Sequence, residues 1–138
     1  MGNLKGINGY LVEEGSYLAK EQALPLNKSA DGNKNVCDFS GTNGSIEVIA
    51  KVTADISIAD TKALTLKLQH SDDGSSYYDL ATLLTVTASG AAYTALKGYE
   101  LAKYIIPENA KKYIKAVLTT TDASAVGSVS IFGHYIPR

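Results

Sequence analysis

Residues 63–80, ALTLKLQHSDDGSSYYDL, carry the clearest structural signal in the chain. Leu64, Leu66 and Leu68 alternate with Thr65, Lys67 and Gln69, so at a strand's period of two one face is leucine and the other polar. The run ends in Ser71-Asp72-Asp73-Gly74-Ser75-Ser76. Short polar side chains there can bond their own backbone, and Gly74 can take positive φ without a Cβ clash. Tyr77, Tyr78, Asp79 and Leu80 resume an extended segment. The stretch therefore reads as strand, turn and returning strand.

On either side the chain repeats this pattern. Ser45–Val52 (SIEVIAKV) places Ile46, Val48 and Ala50 on one face and Glu47, Ile49 and Lys51 on the other, and residues 53–58 either extend it or follow as a partner. After Leu80 the alternation weakens, and residues 81–86 are apolar and β-branched. A short helix near Thr94–Leu101 is opposed by Gly98. Residues 102–106 read as a strand closed by Pro107. Residues 111–121 place Ile114, Ala116 and Leu118 on one side and Tyr113, Lys115, Val117 and Thr119 on the other. The last strand, 126–136, has apolar residues on both faces, which suits the inside of a sheet or a subunit contact. Strands about ten residues apart with turn chemistry between them predict an all-β fold, an antiparallel β-sandwich or jelly roll.

Residues 1–44 differ in composition. Glycine and asparagine recur between short apolar pieces, and residues 27–35 have the make-up of an exposed loop. This part reads either as an irregular segment supplying edge strands to a sandwich over 45–138, or as an extended arm that orders on a partner. Both belong to one domain, since 138 residues match a single core.

Thirteen basic and fourteen acidic residues give a net charge of −1. Such a balance lacks the clustered positive charge that phosphate backbones require, so no nucleic-acid partner is expected. The cluster Lys111-Lys112-x-x-Lys115 reads as a solvated edge. No apolar run approaches a membrane span or a signal-peptide core, and a soluble, unprocessed chain is expected. The lone Cys37 reads as a small buried residue. His70, His134 and Cys37 lack zinc-ligand spacing, and Asp72-Asp73 lacks the alternating oxygens of a calcium loop. No nucleophile elbow, phosphate loop or dinucleotide fingerprint is present. Neither an enzyme nor a metal or cofactor site is expected.

The string LQHSDDGSSYYDLAT, followed by AKYIIPENAKKYIKAVLTTT and GSVSIFGHYIPR, resembles the capsid cement (decoration) proteins of tailed bacteriophages over roughly Ile46–Arg138. The resemblance implies a small sandwich or jelly roll on the virion exterior, made in the host cytoplasm, whose partners are the major capsid protein and a second copy of itself, most simply as a homodimer. Nine tyrosines, against two phenylalanines and no tryptophan, suit a partly wet protein interface. Partner contacts are expected at Tyr10 and Tyr17, at the tip residues Asp72, Asp73 and Gly74, at Tyr77, and at Tyr135. The alternative is a carbohydrate-binding sandwich of a phage tail or surface protein. The lack of tryptophan weighs against that alternative.

Overall fold

The structure, a computed structural model, describes residues 17–34, 37–38, 45–107 and 109–136; the side chains at 37, 38, 45, 135 and 136 lie outside the described part. Ten strands follow one another among these residues: β1 (Tyr17–Ala23), β2 (Ser29–Asp31), β3 (Cys37–Asp38), β4 (Ser45–Ile58), β5 (Ala63–Ser71), β6 (Tyr78–Thr87), β7 (Tyr93–Ala95), β8 (Glu100–Ile105), β9 (Tyr113–Thr120) and β10 (Val126–Ile136). They form two antiparallel sheets packed face to face, the expected β-sandwich. One sheet runs β1-β10-β4, with β7 and β8 both pairing β4. The other runs β9-β5-β6, with β2 and β3 both on the far side of β9.

The leucine face of β5 builds the core. Leu64, Leu66 and Leu68 are fully buried and lie in register with Thr120, Leu118 and Ala116 of β9. Val48, Ala50, Val52, Ile56 and Ile58 of β4 join the same cluster from the opposite sheet, with Val129 and Ile131 of β10. Each large aliphatic side chain so buried contributes about 1.5–3 kcal/mol relative to exposure. The apolar second face of β10 follows from its place between β1 and β4. Phe132 lies on the outward side and packs with Tyr17 and Ile49 in a separate small cluster.

Three local expectations change. Residues 27–35 are not wholly loop, because Ser29–Asp31 pairs with Thr119–Val117 as a strand without an apolar signal of its own. The possible helix near Thr94 is instead β7, a turn at Gly98 and β8; the Gly98 N–H bonds the Val52 carbonyl at 2.8 Å. The weak alternation after Leu80 is a continuous strand with two bulges. Leu68 and Gln69 oppose Ala81 and Asp79, and Leu66 and Lys67 oppose Leu84 and Thr82, so Leu80 and Leu83 are extra residues that break the period of two.

Where β10 begins, Gly127 has φ 114°, and a Cβ there would come within 2.7 Å of the Asp55 carbonyl oxygen and the Ile56 Cα. The irregular register of β4 against residues 126–129 is therefore possible only with glycine at this position.

Candidate docking surface

The turn between β5 and β6 is exposed from Asp72 to Ser76, yet its shape is fixed from within. The buried Ser71 hydroxyl accepts the backbone N–H groups of Asp73 at 3.2 Å and Gly74 at 2.9 Å, and donates to Asp73 Oδ1 at 2.9 Å. Asp73 Oδ1 also accepts the N–H groups of Ser75 at 2.9 Å and Ser76 at 3.0 Å. Three donors on one carboxylate oxygen favour its charged form, led by Ser76, then Ser75, then Ser71, and the Asp73 carboxyl is held at about 2. Gly74 takes φ 77°, and the Tyr113 ring lies over it, 3.6 Å from where a Cβ would stand. The tip is thus already in one conformation.

Neighbouring strands brace it. Lys111 Nζ pairs with Asp72 Oδ2 at 2.8 Å, which raises the lysine's pKa, and the Lys111 backbone N–H donates to His70 Nδ1 at 3.1 Å. Lys115 Nζ lies 3.2 Å from Asp31 Oδ2 and 4.5 Å from the Tyr77 ring centroid. Lys67 Nζ and Gln69 Nε2 both hold the Asp79 carboxylate, at 3.2 Å and 2.9 Å, and the glutamine bond is the larger cause of its lowered pKa. These pairs are partly exposed, and each adds little to stability. Their effect is to orient side chains and balance charge locally. Of the cluster expected as a solvated edge, Lys115 lies on β9, an inner strand, and pairs with Asp31, while Lys111, before β9, pairs with Asp72 at the tip and Lys112 is exposed.

The expected contact residues separate into groups. Asp72, Asp73 and Gly74 share the tip, with Tyr77 on its flank under Lys115 and Tyr78 beside it, 61% exposed. Tyr17 lies elsewhere, on the outward side of the other sheet, only 7% exposed, with its ring 5.7 Å from Phe132 and Lys20 Nζ 5.1 Å from its centroid. Its surface is already spent within the chain. Tyr10 lies outside the described residues. Tyr135 belongs to β10, opposite Ile46, and its side chain is outside the described part. Sequence reasoning missed His70, Lys111 and Tyr113 as parts of the tip. Their spacing carried no local signal, since the contact runs between segments some forty residues apart.

The arrangement offers recognition groups. It presents an exposed, internally bonded turn carrying two carboxylates beside an exposed tyrosine, Tyr78. Asp73 Oδ1 is taken up by its own loop, and no cluster of three or more metal-ligating side chains occurs among the described residues. No protein-family model matches this chain, and no curated protein matches it in sequence.

Proposed function

We propose that the chain is a structural binding module, a capsid cement protein of a tailed bacteriophage that attaches to the outside of the shell and bridges major capsid subunits. The observation that carries this reading is the preformed tip, whose bonds from Ser71 and Asp73 fix an exposed surface before any partner arrives. A surface already in its bound shape loses less entropy on docking, which favours recognition of a protein lattice. The sequence resemblance around the same tip, from Leu68 to Thr82, points the same way. Attachment is multivalent: a closed oligomer, most simply a dimer, makes several modest contacts at once and gains avidity from their linkage. Binding to assembled capsid alone stabilises that state by mass action.

Co-sedimentation with tailed-phage capsids assembled without a decoration protein tests the reading. Saturable binding that raises the capsid melting temperature supports it. Absence of binding at micromolar protein overturns it, and glycan binding by the same sample would install the carbohydrate-binding alternative.

A further inference from the structure

The Lys111 backbone N–H donates to His70 Nδ1 at 3.1 Å. A backbone N–H only donates, so this bond requires a lone pair on Nδ1 and hence a neutral ring carrying its proton on Nε2. His70 is half-buried near the end of β5, opposite Tyr78 on one side and Ile114 on the other. Its acceptor bond joins the strand under the tip to the turn that leads into β9. Around it, the groups that carry charge or titrate include Asp72 and Asp73 on its own hairpin, Tyr78 on β6, and Lys111 and Tyr113 leading into and opening β9; the Lys111 ammonium holds Asp72. The opposing sheet contributes two phenols, Tyr93 of β7 and Tyr104 of β8, to the partly buried residues packed on the same core. Phenols ordinarily remain uncharged through neutral and acid pH.

We infer that His70 is a pH-sensitive latch, holding the turn before β9 against the β5–β6 tip when neutral and releasing it when protonated. Imidazole is the side chain whose charge ordinarily changes between pH 5 and 8. Protonation removes the Nδ1 lone pair and sets an N–H against the Lys111 N–H, so an attraction becomes a clash of two donors. The Lys111–Asp72 pair also ties this turn to the tip, but it is exposed and weak on its own. Ala110, one residue before the latch, packs on the main core, so release detaches an apolar contact as well. The latch goes beyond the capsid reading and does not depend on it.

Amide hydrogen exchange of Lys111, corrected for the intrinsic pH dependence of exchange, reads the latch directly. Protection is expected to fall by roughly three- to tenfold between pH 7.5 and pH 5, the worth of one hydrogen bond, while the β9 amide of Leu118 keeps its protection. His70→Asn supplies an acceptor near the Nδ1 position without a titrating ring, and its Lys111 protection should not change over the same range. Histidine 15N shifts of the unaltered protein provide a measurement that needs no variant, and the Nε2-protonated form is expected at pH 7.5. Equal Lys111 protection at both pH values, the same loss in His70→Asn, or an Nδ1-protonated ring at pH 7.5 would each overturn the latch.

Discussion

Asp73 and Asp122 use the same chemistry at opposite ends of β5, a carboxylate accepting backbone N–H groups, and yet they hold different things. Every bond to the Asp73 side chain comes from within three residues. Asp122 is buried; it accepts the Ser124 N–H at 2.8 Å locally, but its other oxygen accepts the N–H of Ala59, 63 residues away, at 2.8 Å. Beside it the buried Thr120 hydroxyl donates to the Pro25 carbonyl and accepts the Asn27 N–H at 3.2 Å. This end joins the link between β1 and β2, the turn between β4 and β5, and the turn after β9. A local cap shapes one exposed loop, whereas the long-range staple ties three crossings between the sheets. Loss of the first should change the surface, and loss of the second should change the stability of the whole fold.

Two glycines give the sharpest version of that contrast, and the largest expected effect. Gly127→Ala at the stapled end combines φ 114° with contacts of 2.7 Å to backbone atoms that cannot swing aside. Destabilisation of at least about 2–3 kcal/mol is expected, read as a lower urea midpoint. Gly74→Ala at the tip keeps ordinary contact with the Tyr113 ring at 3.6 Å and meets only the left-handed backbone cost at φ 77°, about 1 kcal/mol. Equal midpoints for the two variants would break the division between the ends.

Thr120→Val comes next. It keeps the shape of the side chain but leaves the Pro25 carbonyl without this donor, for an expected loss of about 1–3 kcal/mol by chemical denaturation. Ser71→Ala removes as many bonds, all of them inside the tip. Its expected signature is a smaller fall in stability, under about 1 kcal/mol, with, on the proposed capsid-binding function, a several-fold weaker attachment in the co-sedimentation assay. A Ser71→Ala protein that docks normally would remove the tip from the docking surface.

The same contrast explains what could be read from the sequence. The leucine alternation of β5, the inward face of β9 and the Asp-Asp-Gly turn were all legible, because each is written in neighbouring residues. The bulges at Leu80 and Leu83 hid β6, since one extra residue inverts every face that follows. Ser29–Asp31 looked like loop because its strand character comes from the β9 backbone it pairs with. The site divides in the same way. Asp72, Asp73 and Gly74 could be singled out as a turn, whereas the bracing by His70, Lys111 and Tyr113 comes from strand order. Tyr17 looked available for contact but lies against Phe132, 115 positions away in the chain.

Acid titration gives the finest test of the comparison. The Asp73 carboxyl is lowered from 3.8 to about 2, so its stabilising share is complete above 3.8 and is lost as pH falls through about 2. The Asp122 carboxyl is also lowered, chiefly by the Ala59 N–H and then by that of Ser124, so its share disappears in the same direction. The difference lies in what goes with each proton. Protonating Asp73 should free the Ser75 and Ser76 amides while β9 and β10 stay protected. Protonating Asp122 should loosen the Ala59 amide together with the turns beside it, and so accompany global acid unfolding. Carboxyl 13C shifts and amide exchange followed from pH 5 downwards separate these events. An Asp73 that titrates at the ordinary carboxylate value would mean the tip is not pre-shaped, and the proposed docking would lose its low ordering cost while the sandwich stood unchanged.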